Sequence, residues 1–205
     1  MDLLAKQKEF NSQTYKKLVQ RGETFKKKEF DSCTFLKCVF SESIFEDCSF
    51  RNCVFRGCEM NLIKINGCSF SDTHFENSQL LGVNWTETSM AKIKFPFSKP
   101  VGFTGCVINH SIFMWLNLQE IKLTKCIAHD ADFSEADMTH ANCTQTDFSN
   151  SRFWHTNLTG ADFSGATNYS IAANLNTLKK TKFSLPEAMS LLYSLDIILD
   201  EDQSG

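Results

Sequence analysis

The run from Phe25 to Phe55, FKKKEFDSCTFLKCVFSESIFEDCSFRNCVF, places a phenylalanine at every fifth residue without a gap. The series continues through Met60, Ile65, Phe70, Phe75, Leu80, Trp85, Met90 and Phe95. The phase then shifts by three residues and resumes at Phe103, Ile108, Phe113, Leu118, Leu123, Ala128, Phe133, Met138, Cys143, Phe148, Phe153, Leu158 and Phe163. All 28 positions are apolar in a chain that is only 42% hydrophobic, so chance does not produce the pattern. Sixteen of the 19 phenylalanines stand in it, which accounts for their excess.

A second register lies two residues before each of these positions. It holds Cys33, Cys38, Cys48, Cys53, Cys58, Cys68, Cys106 and Cys126, and otherwise mostly Ser, Thr, Ala or a compact aliphatic residue. The three positions between are mostly polar. On an α-helix five residues advance by ~500°, so the large residues would smear around the whole cylinder. On a flat strand an odd period sends successive large residues to opposite faces. Both registers point inward together only if the chain turns a corner every five residues. Such a chain winds into a coil whose turns stack as short parallel strands. Asn, Asp, Ser and Gly suit the corners, where they satisfy local backbone groups. The periodicity requires a solenoid.

Around this core the composition is ordinary. The 205 residues suffice for one domain, and the net charge is −3. No stretch reaches the ~18 consecutive apolar residues of a membrane helix, and the first residues lack the apolar block of a secretory signal. Residues 1–28 carry eight Lys/Arg against three Asp/Glu, and residues 29–168 carry ten against sixteen. The basic arm reads as a solvated cap, since it lacks the clustered aromatics of a nucleic-acid binder.

Catalytic motifs are absent from the sequence: there is no glycine-rich phosphate loop, nucleophile elbow or HExxH. The Cys-x4-Cys spacings are too wide for the usual zinc pairs, and inward cysteines serve as small apolar residues. Cys33, Cys38, Cys48, Cys53, Cys58, Cys68, Cys106 and Cys126 read as structural free thiols, although one strand spacing is a separation that a disulfide tolerates. His74, His110, His129, His140 and His155 all lie outside the two interior registers and read as scattered. The expected interior includes Cys33, Phe35, Cys38, Cys53, Phe55, Phe75, Phe133 and Phe163. No catalytic residue, metal or cofactor is expected.

The slip, FPFSKPVGF at 95–103, has two readings: a bulged corner, or a loop projecting toward a partner. Near the C-terminus, Ser184 and Glu187 form a capping-box pattern with Pro186 in the first turn. The apolar residues after it exceed what one helix face needs, and a second copy of the chain would cover the excess. At the other end Phe10 and Tyr15 share the phase, but Gln20 breaks it. The division is therefore an N-terminal cap at 1–24, a β-helix at 25–168 with a break at 96–102, and a C-terminal helix and tail at 169–205.

Residues 131–166, ADFSEADMTHANCTQTDFSNSRFWHTNLTGADFSGA, resemble a run of pentapeptide repeats of the A-(D/N)-(L/F)-x-x type. The resemblance implies an all-β, right-handed quadrilateral parallel β-helix, with four repeats closing each coil, about seven coils here, and a short C-terminal α-helical cap. QLLGVNW at 79–85, the break, and the tail LKKTKFSLPEAMSLLYSLDIIL resemble the branch that holds the Qnr-like quinolone-resistance and microcin B17 immunity proteins. That resemblance implies a cytoplasmic homodimer, joined through Leu191, Leu192, Leu195 and Ile197. It further implies a DNA mimic acting on DNA gyrase or topoisomerase IV, with Pro96, Phe97, Ser98, Lys99 and Pro100 as the enzyme-facing loop. Neither direct nucleic-acid contact nor membrane association is implied. Two features stand apart from simple mimicry. The charge of the repeat region is modest, and Asp132, Asp137, Asp147 and Asp162 fall on four different sides. A second reading is a β-helical scaffold or interaction module with another partner.

Overall fold

The structure, a computed structural model, describes residues 7–89, 101–195 and 197. The chain forms a parallel β-solenoid with four short sides per turn, each centred on one large inward residue. Face 1 stacks Phe10, Phe30, Phe50 and Phe70, then Leu118, Met138, Leu158 and Leu178. Face 2 stacks Tyr15, Phe35, Phe55, Phe75, Phe103, Leu123, Cys143, Phe163 and Phe183. Face 3 carries Phe40, Met60, Leu80, Ile108, Ala128 and Phe148, and face 4 carries Phe25, Phe45, Ile65, Trp85, Phe113, Phe133, Phe153 and Ile171.

Nine rungs on face 2 make about eight turns, one more than the sequence suggests. The extra rungs come from both ends. Glu9–Asn11 pairs in register with Glu29–Asp31, and Thr14–Lys16 with Thr34–Leu36, so the coil begins inside the stretch assigned to a cap. Gln20 does not stop it, because Val19 still bridges Val39 and the Gln20 carbonyl accepts a hydrogen bond from Ser43 Oγ. At the far end Ser170–Ile171 pairs with Arg152–Phe153, and Lys182–Phe183 with Asp162–Phe163, so the coil runs past 168.

The break is also larger than a three-residue slip. His74 pairs with Val54 on the preceding turn and with Gly102 on the following one. Phe103 therefore stacks on Phe75, at 5.3 Å. The step from His74 to Gly102 takes eight residues more than the step from Val54 to His74, yet the pitch is kept. Val101 and Gly102, expected to belong to the break, enter the next rung.

Two interactions hold each turn to the next. Rings of equal faces stack, as in Phe35 on Phe55 at 4.5 Å and Phe30 on Phe50 at 5.0 Å, while rings of adjacent faces meet edge-on. The small register does polar work. Cys33 Sγ donates to the Phe10 carbonyl, Cys58 Sγ to Phe35, Ser78 Oγ to Phe55 and Thr156 Oγ1 to Phe133, each reaching 23 residues back. Cys, Ser and Thr share one register because each is a compact donor to a carbonyl at a dry corner. In the C-terminal half Asp and Asn before the centre cap the corner: Asp132, Asp137, Asp147 and Asp162 accept from the amides of Ser134, Thr139, Ser149 and Ser164.

Candidate functional site

The interior offers packing and no solvent-facing chemistry. Cys33, Phe35, Cys38, Cys53, Phe55, Phe75, Phe133 and Phe163 are all buried, and every cysteine is a free thiol. Burial pushes the Cys53 thiol up to about 12, keeping it protonated at neutral pH. Among the described residues no cluster of three or more His, Cys, Asp or Glu is placed to hold a metal. No helix among them is long and apolar enough to cross a membrane.

Function therefore has to be sought on the faces and at the ends. Face 3 brings together groups the sequence left scattered. His110 and His129 lie on successive rungs, with the His110 amide donating to the His129 carbonyl. His129 Nε2 sits 3.0 Å from Asp147 Oδ2, and His110 Nδ1 lies 3.9 Å from Asp130. Burial works to raise the Asp147 carboxyl, but hydrogen bonds from Asn168, His129 and Ser149 outweigh it and hold the group well below the usual carboxylate range. Glu42, Glu59, Asp130 and Asp147 face outward here against the single arginine Arg21, which pairs with Glu42 and Glu59. The spacing of the two histidines in the sequence, close to one turn, was the available signal.

Face 4 presents Trp115 and Trp154, both about half exposed, with Trp154 edge-on to His155. A cleft of about 690 Å³ opens beside Trp154, between the last turn and the C-terminal segment, and is lined by Tyr169, Ile171, Leu175 and Tyr193. Burial, with a smaller contribution from Glu187, pushes the Tyr169 phenol up to about 12.

The C-terminal segment Glu187–Leu195 is a 3₁₀ helix and not the expected α-helix. The capping-box residues explain the difference. Ser184 Oγ accepts from the Gly165 amide at 3.0 Å, and Glu187 Oε1 from the Asn168 amide at 2.6 Å. Ser194 Oγ accepts from the Ala173 amide, and Ser190 Oγ donates to the Tyr169 carbonyl. With its cap residues engaged by the coil and no N–H on Pro186, the segment winds tightly and covers the open edge of the last turn. Leu191 packs onto the core and Leu192 is half-buried, so these two belong to the cap itself. Leu195 and Ile197 are exposed, and they are joined by Leu185 and Met189, part of the apolar excess read from the sequence, and by Tyr193, which that reading did not single out. The loop residues Pro96, Phe97, Ser98, Lys99 and Pro100 lie outside the described residues.

Two family models match this architecture: a pentapeptide repeat region over residues 28–113, and an eight-copy pentapeptide repeat over 117–154 and 148–167. The chain belongs to the pentapeptide repeat family. Among solved structures it is similar to trypsin-treated QnrB1, a plasmid-mediated fluoroquinolone resistance protein. The TM-score is 0.65 at 16% identity, covering 91% of this chain and 100% of that one. Full-length QnrB1 gives 0.58 at 16% identity, covering 90% and 100%. Among curated protein sequences none matches. These likenesses are of fold. As in the family pattern A-(D/N)-(L/F)-x-x, this pentapeptide repeat chain uses the Asp or Asn to cap its corners and the Leu or Phe to fill its axis.

Proposed function

We propose that this pentapeptide repeat protein acts by binding and not by catalysis, as a cytoplasmic homodimer that shields a type II topoisomerase, DNA gyrase or topoisomerase IV, from poisons of the quinolone or microcin B17 kind. The observation that carries the reading is the likeness in fold to QnrB1 over nearly the whole of both chains. The acid-rich face 3 supports it in sign, because a competitor for a basic DNA groove must present carboxylates along its length. The test is a gyrase supercoiling assay with purified protein, with and without a fluoroquinolone or microcin B17. Restored supercoiling in the poisoned reaction, weakening as salt rises, is the expected result. Neither rescue nor inhibition at micromolar protein rejects the topoisomerase role and leaves a scaffold with another partner.

The dimer contact in this reading is the apolar surface of the cap: Leu185, Met189, Tyr193, Leu195 and Ile197. Five large apolar side chains exposed on one short segment form the kind of surface that a twofold contact covers. Sedimentation equilibrium is expected to give a dimer for the native chain and a monomer for the double variant Met189→Glu, Tyr193→Glu. A native monomer, or a dimer that survives both charges, removes this contact.

A further inference from the structure

The rod is electrostatically two-sided, and face 2 is its basic side. Its outward positions carry Lys16, Lys17, Lys37, Arg56, Lys122, Lys125 and Lys182 against only two carboxylates, Glu76 and Asp162. Each carboxylate already pairs with a cation of the same face: Arg56 with Glu76 at 2.7 Å, and Lys182 with Asp162 at 3.5 Å. The seven cations thus exceed the acids by five, although the whole protein is net −3. The sequence reading, which expected no direct nucleic-acid contact, did not resolve charge by face.

The cations concentrate on the first three rungs. Lys16, Lys17, Lys37 and Arg56, together with Gly57, Asn77 and the half-buried Leu36, line an open depression of about 510 Å³. Gly57 turns the corner at φ +63° directly beside the Lys37 stem. Lys122 and Lys125 form a second group three rungs above Arg56, ~14 Å along the rod at the usual strand spacing. Between them lie two rungs, one carrying His74, Glu76 and Asn77 and the other Gly102, Thr104 and Gly105.

What fits such a face follows from what it lacks. A protein partner wants a large apolar or aromatic centre to desolvate, and on these rungs face 2 offers only the half-buried Leu36 and Val54, ringed by cations. A single-stranded nucleic acid wants aromatic platforms for its bases, and both exposed tryptophans are on face 4. Lysines interleaved with threonine, asparagine and glycine are the donors that contact the sugar–phosphate backbone of a duplex. From this arrangement we infer that face 2 binds the phosphate backbone of double-stranded nucleic acid, independently of base sequence, with Lys16, Lys17, Lys37 and Arg56 as the principal contacts.

Fluorescence anisotropy with a labelled short DNA duplex tests this directly. If four phosphates are neutralised, affinity should fall roughly 100-fold between about 50 and about 200 mM NaCl. The triple variant Lys16→Gln, Lys17→Gln, Lys37→Gln is expected to bind at least ~10-fold more weakly at low salt and to show a shallower salt dependence. The single variant Lys37→Gln should show a smaller loss in the same direction. A control triple on faces 1 and 4, Lys64→Gln, Lys179→Gln, Lys180→Gln, is expected to bind as the native chain does. Unlabelled duplex should displace the probe, and polyglutamate should not. No binding at low salt, equal loss in the control triple, or displacement by polyglutamate as effective as by duplex each overturns the inference. None of these readouts requires a topoisomerase, so the result stands apart from the shielding role.

Discussion

Phe55→Ala will lower the thermal midpoint of this protein by about 10 °C, a figure that follows from the cost of an unfilled ring cavity in a domain of this size. The ring is buried, stacked on Phe35 at 4.5 Å and Phe75 at 4.9 Å, and met edge-on by Phe50 at 5.6 Å. Truncating a buried phenylalanine to alanine costs ~3–5 kcal/mol, as lost transfer energy plus the cavity left behind. For a domain of this size each kcal/mol shifts the midpoint by about 2–4 °C. The rod has no second layer to close over the gap, because each turn touches only its two neighbours. Cys33 and Cys53, in the two rungs that Phe35 and Phe55 belong to, are fully buried, and burial holds their thiols protonated. Thiol labelling under native conditions should therefore be slow in the native chain and faster at these two cysteines in the variant. A midpoint within ~2 °C of native, with labelling unchanged, would show that the ladder is not the main source of stability.

The second large effect involves no change of shape. Thr146 Oγ1 is fully buried, donates to the Leu123 carbonyl at 2.6 Å and accepts from the Cys126 amide at 3.1 Å. Thr146→Val keeps the volume and removes both bonds. Stripping two buried backbone groups of the partner they have is expected to cost ~2–4 kcal/mol in urea unfolding. Thr146→Cys should cost less than ~1 kcal/mol, since a thiol keeps a donor at the site. Cys38, Cys58, Ser78 and Cys106 occupy the same corner on other turns and bond carbonyls of the turn below in the same way. A valine variant as stable as the native chain would mean that this register is selected for size alone.

That register marks the boundary of what the sequence discloses. The five-residue period was readable because every centre is apolar and every corner is polar, so Phe25 to Phe55 alone dictates a coil. The role of the small register was only half legible: small was evident, but that Cys33, Ser78 and Thr156 do one job depends on carbonyls 23 residues away. Phe95 misled because an apolar residue in phase looks the same whichever residue the next rung takes up. Only the pairing of His74 with Gly102 reveals how long this turn is. Ser184 and Glu187 carry a local signature whose partners, Gly165 and Asn168, are a full turn away. The basic side was hidden for the same reason. Lys16, Lys37 and Arg56 are distant in sequence, and they share one face only once the length of a turn is known.

The lengthened turn between His74 and Gly102 carries a practical consequence. Hydrogen bonding on either side of it is unperturbed: Ser89 still bonds back to Cys68, and Gly102 to Thr73. The coil thus tolerates extra chain between Ser89 and Val101 while the pairing of the flanking rungs continues. Loop closure grows only slowly more costly with length. Foreign peptides spliced between Ser89 and Val101 should therefore be displayed at a fixed height on a rigid post. Whole coils, added or deleted elsewhere, would move that height in calibrated steps of ~4.8 Å, which makes the molecule a natural measuring stick for protein engineering.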